Sequence, residues 1–153
     1  MKLDKFDRSI LGALQKDGRI SNVDLAELVS LSESACLRRV RRLEKRGFIE
    51  KYTAILDQRQ AGLAGNIFVH IALQREEQSE LAAFEAAVQD LPEVMECYLM
   101  TGEFDYLLRV VVSDMADFER VHKESLTRLP GVARVNSSVA IRTVRKTTEL
   151  PLA

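Results

Sequence analysis

The chain has 153 residues, 46% apolar and 29% charged, a composition of soluble globular proteins with room for one medium domain or two small ones. No apolar run approaches the roughly 18 residues that span a bilayer. The opening MKLDKFDRSIL interleaves charges with apolar residues, unlike a secretory leader, so the cytoplasm is the expected location and no membrane partner is expected. The net charge of −1 conceals an asymmetry: residues 1–57 carry 12 basic and 9 acidic side chains, the remainder 10 and 14. A basic head on an acidic body follows.

Asp4 suits the N-cap of a first helix whose apolar positions Phe6, Ile10, Leu11 and Leu14 have helical spacing. Lys16-Asp17-Gly18 closes it, with Gly18 placed for a left-handed terminus. Ser21 opens a second helix with Asp24 three residues on, a capping box with a shorter acid, and Leu25, Leu28 and Val29 as its buried side. After VSLS a third helix begins at Ser32, with Leu31 as a staple, an inward stripe of Cys36, Val40 and Leu43, and Gly47 as its stop. FIEKYTAIL then alternates like a strand and is expected to form part of a small wing.

Three short helices, the last two joined by a tight turn, make a helix-turn-helix, which lays the start of its last helix in the DNA major groove. The residues there, Ser32, Glu33, Ser34 and Ala35, are small or polar and permit close approach to base edges. Arg38 and Arg39 follow one turn later, in reach of guanine edges or flanking phosphates. Arg41, Arg42, Lys45 and Arg46 read as phosphate contacts, and Ser21 and Asn22 as a backbone clamp on phosphate at a helix start. An arginine run alone is as consistent with a solvated helix face. Its coincidence with a tight turn and a capped preceding helix, within about forty residues, favours double-stranded DNA as partner.

From residue 66 the periodicity changes. NIFVHIAL reads as a strand with Ile67, Val69 and Ile71 on one face and Phe68, His70 and Ala72 on the other. SELAAFEAAVQDL is an amphipathic helix burying Leu81, Phe84, Val88 and Leu91, and VMECYLM is a strand. DYLLRVVV, after the turn TGEF, is a nearly continuous apolar strand, as expected where both faces are covered. DMADFERVHKESLTRL is a second helix capped by Asp114 and burying Phe118, Val121, Leu126 and Leu129, and VARVNSSVAI is the last strand. LPEV at 91–94 and LPGV at 129–132 mark the same helix-to-strand junction, so the half repeats as β-α-β twice, the ferredoxin-like arrangement with both helices on one face. The uncovered face makes a homodimer the natural solution. The expected fold class is therefore α+β: a winged helix-turn-helix over 1–57, a linker over 58–65, a ferredoxin-like domain over 66–145 and a tail over 146–153.

Catalytic chemistry is scarce. Cys36 and Cys97 lie in apolar patterns and read as buried free thiols, and His70 and His122 have no partner at metal-ligand spacing. Glu103 and Asp105 flank Phe104 without a nearby nucleophile, so neither an enzyme nor a cofactor is expected. Gly102 permits a left-handed backbone whose N–H groups can hold a carboxylate, although spacing alone favours a plain hairpin turn.

LDKFDRSILGALQKDGRISNVDLAELVSLS with LRRVRRLEKRGFIEKYTAIL resembles the DNA-binding domain of the Lrp/AsnC family of feast/famine regulators. YLMTGEFDYLLRV and LTRLPGV resemble its effector-sensing domain, and KTTELPL its tails. The resemblance covers essentially the whole chain. It implies a dimer formed through the C-terminal sheets, assembly into octamers, and an amino-acid effector held between subunits. Carried over by position, the effector site comprises Tyr98, Met100, Thr101, Gly102, Glu103 and Asp105, faced by Met115, Ser138, Val139 and Ala140 of a neighbour. Its apolar surroundings suggest leucine or another aliphatic amino acid. Family members often carry proline near the start of the DNA-reading helix, where this chain has SESAC. The function so implied is an amino-acid-responsive transcriptional regulator. The alternative is a constitutive architectural DNA binder whose C-terminal domain only oligomerises.

Overall fold

The computed structural model describes residues 2–152. They divide into two compact units, one made of the residues up to Ile55 together with those from Arg145 on, the other spanning Leu56–Val144.

The first unit holds α1 (Lys5–Lys16), α2 (Asn22–Leu28) and α3 (Glu33–Lys45). Asp4 caps α1 through a reciprocal box with Asp7, Ser21 caps α2 and Ser32 caps α3, all at the expected residues. Ile10, Leu11, Leu25, Ala26, Val29, Cys36 and Leu43 form the core, with Leu14, Leu31 and Val40 packed against it. Val29 is inside, whereas Leu28 is 65% exposed: α2 ends at Leu28, and the turn that follows swings Val29 inward. Both α2 and α3 end in the same motif. The Ser30 and Leu31 amides donate to Glu27 and Ala26, and the Gly47 and Phe48 amides donate to Glu44 and Leu43. The left-handed position is glycine in one, Gly47 with φ 73°, and serine in the other, Ser30 with φ 56°. Gly18 is not left-handed; α1 instead closes on an extended Asp17. The expected wing strand over FIEKYTAIL is also absent, because the segment finds no ladder partner among the described residues.

The tail belongs to this unit rather than standing apart. The Gln15 side-chain amide donates to the Leu150 carbonyl at 3.2 Å and accepts from the Leu150 N–H at 2.6 Å. Leu152 packs against the core, in a groove lined by Leu11, Leu14, Phe48, Ile49 and Tyr52.

The second unit is a four-stranded antiparallel sheet of β1 (Gly65–Leu73), β2 (Val94–Leu99), β3 (Tyr106–Val112) and β4 (Val132–Val139), in the order β2-β3-β1-β4. With α4 (Gln78–Val88) and α5 (Met115–Glu124) it makes the β-α-β-β-α-β ferredoxin-like order expected. Ile67, Val69 and Ile71 pair with Val110, Leu108 and Tyr106, so these side chains share the buried face. Phe84 of α4 stacks on Tyr106 at 4.4 Å, and Phe118 and Val121 of α5 complete the layer. Leu126 and Leu129 are also buried, but from a 3-10 turn (Leu126–Arg128) and its exit rather than from α5 itself. The opposite face is mixed: Phe68, Leu107 and Tyr98 alternate with His70, Arg109, Glu96, Asn136 and Ser138. Arg109 is satisfied within the chain, by Glu96 at 3.2 Å and Asn66 at 3.0 Å.

Candidate DNA interface and effector turn

On α3 the side chains sort by helical phase. Cys36, Val40 and Leu43 face the core. Ser34, Arg38, Arg41 and Lys45, spaced by four, three and four, are exposed along one stripe, with Glu33 and Arg46 exposed at its ends. Ala35 is half-buried beneath the first turn, and Ser32 spends its hydroxyl on the Ala35 N–H. Asn22 donates to the Glu33 carbonyl at 3.0 Å, tying α2 to the start of α3, and the Ser21 hydroxyl engages Asp24 at 2.6 Å. Both residues of the expected phosphate clamp thus have internal partners for their side chains.

Arg39 and Arg42 are placed differently from the expectation. Arg39 donates to Asp4 at 2.6 Å and to Asp7 at 2.8 Å, and its guanidinium lies 5.3 Å from the Phe6 ring centre. Arg42 Nη2 lies 2.8 and 3.0 Å from the two Asp7 carboxylate oxygens. Asp7 is 1% exposed. A carboxylate so buried needs this many donors, and α3 supplies them. The exposed Asp4 carboxyl is held below its ordinary range by the Asp7 backbone N–H and then by Arg39, while Asp4 and Asp7 push the Arg39 pKa up. The sequence reading missed this network. Its signal was present in the matching spacings Asp4-x-x-Asp7 and Arg39-x-x-Arg42.

In the second unit the turn Thr101-Gly102-Glu103 is exposed and Gly102 has φ 115°. Asp105 is committed to the scaffold: its carboxylate accepts from the Leu73 N–H at 2.6 Å, its own N–H donates to Ile71, and its carbonyl accepts from Met100. Glu103 pairs with Arg134 at 2.8 Å, and Arg134 lies over the Phe104 ring at 4.8 Å. Phe104 and His70, whose rings are 5.1 Å apart, and Arg134 are thus neighbours of the turn that the sequence reading did not single out. Tyr98 and Met100 are exposed beside it.

Met115, Ser138, Val139 and Ala140 do not join this group within one chain. The turn adjoins the Ile71–Tyr106 end of the sheet. Val139 pairs with Ile67, four residues and roughly 13 Å along β1. Met115 follows the far end of β3, and both it and Val139 are exposed. The two halves of the expected site lie at opposite ends of one sheet. Among the described residues no group of His, Cys, Asp and Glu is arranged to hold a metal ion, and no helix is long and apolar enough to cross a membrane.

Comparison with known proteins matches two family models to the chain, one after the other. A winged helix-turn-helix DNA-binding model matches residues 3–50, and an Lrp/AsnC ligand binding domain model matches residues 66–150. The leucine-responsive regulatory protein of Salmonella typhimurium is 47% identical over 148 residues, covering 97% of this chain and 90% of that protein. A Neisseria meningitidis transcriptional regulator crystallised with L-Met superposes with a TM-score of 0.94 at 38% identity, over 98% of this chain and 97% of that one. An AsnC family regulator from Agrobacterium tumefaciens gives 0.93 at 37%, over 97% of both chains. These relatives are transcriptional regulators, not enzymes. The chain belongs to the Lrp/AsnC family of DNA-binding transcriptional regulators, its winged helix-turn-helix followed by that family's ligand-binding domain.

Proposed function

We propose that this regulator works in the cytoplasm as a homodimer, assembled further into octamers, that reads duplex DNA with α3 and is modulated by an aliphatic amino acid held between subunits. The observation carrying the DNA assignment is the exposed stripe Ser34, Arg38, Arg41 and Lys45 behind the capped start of α3. Ser34 and Arg38, near that start and flanked by Glu33, are the base-reading positions; Arg41, Lys45 and Arg46 meet phosphates.

The effector assignment rests on Gly102. As a glycine it has no β-carbon and tolerates its positive φ, so a ligand carboxylate can approach the N–H groups, and Tyr98 and Met100 offer apolar contact beside it. Thr101 and Glu103 rim the turn while Asp105 holds it to the end of β1. Met115 and Ser138–Ala140 reach it only from a second copy, which makes ligand binding and assembly one event. The relatives named for leucine and crystallised with L-Met support an aliphatic ligand.

The test combines calorimetry across the amino acids with operator binding at fixed salt, with and without each. Leucine or methionine should bind and shift DNA affinity. Identical footprints under every amino acid would instead make the protein a constitutive architectural DNA binder. Arg41→Ala should weaken binding to every duplex and lower the slope of log K against log salt by about 0.9, one phosphate contact; Ser34→Ala should change sequence preference at unchanged slope.

A further inference from the structure

Resting on the DNA-binding reading of α3, we propose that Asp7 is a specificity-determining residue: it withholds Arg39 and Arg42 from the DNA phosphates and fixes the roll of the reading helix. Six cations lie between Arg38 and Arg46, but they are not equivalent. Arg39 and Arg42, three residues apart, turn their guanidinium groups onto one buried carboxylate, and Asp4 adds a second acceptor for Arg39. The cluster is electrically neutral, two carboxylates against two guanidinium groups. It joins the first turn of α1 to the middle of α3 and sets which face of α3 is presented. The Arg42 Nε is buried beneath this pair and has no partner of its own.

Phosphate contacts carry no sequence information. On a random duplex, where no base contact fixes the register, a protein settles wherever most cations meet phosphates. On its own site the base contacts dictate the position, and extra cations have less freedom to engage. Two more mobile arginines would therefore favour non-specific binding over specific binding. Sequestering them limits that loss while leaving Arg38, Arg41 and Lys45 in place.

The experiment uses the full-length protein, a random-sequence duplex, and a site selected by the wild type from a random pool. Asp7→Asn combined with Asp4→Asn, which removes the second acceptor of Arg39, should steepen the salt slope on the random duplex by up to about 1.8, two freed cations. Lowering salt fourfold then strengthens its binding about tenfold more than it strengthens wild-type binding, and the ratio of specific to random affinity falls. A fold-weakening role alone predicts weaker binding everywhere at unchanged or shallower slope, and that result overturns the proposal. The neutral quadruple variant Asp4→Asn/Asp7→Asn/Arg39→Gln/Arg42→Gln keeps the question open to test if that variant unfolds. It should retain the wild-type slope, whereas a slope lower by about two would show that these arginines already touch DNA, overturning the proposal. Arg41→Ala separates the two readings: if it too leaves the slope unchanged, or if the wild type ignores the duplex at low salt, the DNA assignment of α3 fails and this inference with it.

Discussion

The two units are held together by different means. The sheet unit buries fourteen apolar residues in one layer between strands and helices, among the described residues, and keeps its ion pairs out of that layer. The helical unit buries seven, and supplements them with the Asp4–Asp7–Arg39–Arg42 cluster, three capped helices, and a strap of tail residues fastened by Gln15. A domain of roughly 60 residues buries only about 60% of the surface its unfolded chain exposes, so its core leaves a narrow margin. Charge in the first unit therefore has two duties. Some of it meets solvent and, by the reading above, DNA; the rest replaces missing core.

The largest effect should come from the sheet unit. Phe84→Ala removes the ring stacked on Tyr106 and should cost about 3–5 kcal/mol, melting that unit first while the chemical shifts of α1–α3 persist. Loss of both units in a single transition would break the comparison. Ser30→Gly should act the other way, stabilising the helical unit by about 0.5–1 kcal/mol, because it gives α2 the left-handed residue that α3 already has in Gly47. Denaturant midpoints read the change, and a lower midpoint would show that Ser30 is not strained.

Gln15→Ala removes both bonds to Leu150 and should loosen the tail by about 1 kcal/mol, speeding tryptic cleavage after Arg145 and Lys146. An unchanged rate would remove the strap from the account of the helical unit. The smallest effect is that of Asp4→Asn, which keeps a good N-cap and deletes one charge. The folded pKa of Asp4 is depressed, so its charge stabilises the native state above the ordinary value of 3.8 and ceases to as pH falls through the folded value. Wild type should be slightly the more stable at pH 7, with the gap closing in acid; a gap that persists in acid would assign the effect to the cap and not the charge.

Much of this was legible from residue order. Asp4, Ser21 and Ser32 could be named as caps because capping is local, decided within three residues. The strands followed from alternation in β1 and a nearly continuous apolar run in β3, and the repeated LPxV junctions from the Pro and Gly that break the helices. The wing strand did not, because a strand exists only with a partner, and alternation in 48–56 says nothing of whether one is near.

Short-range periodicity and composition were enough for the order of the elements, the helix caps at Asp4, Ser21, Ser32 and Asp114, and the cationic character of α3. Only the tertiary structure decided which of those cations are free. Arg39 and Arg41 are indistinguishable as letters, but two helical steps, about 200°, turn Arg39 toward the Asp7 carboxylate and Arg41 toward solvent. It likewise decided that the tail closes on α1, and that the effector residues fall at opposite ends of one sheet. Those facts depend on contacts between residues 32 to 135 positions apart, where pairing is fixed by packing geometry and not by neighbouring sequence.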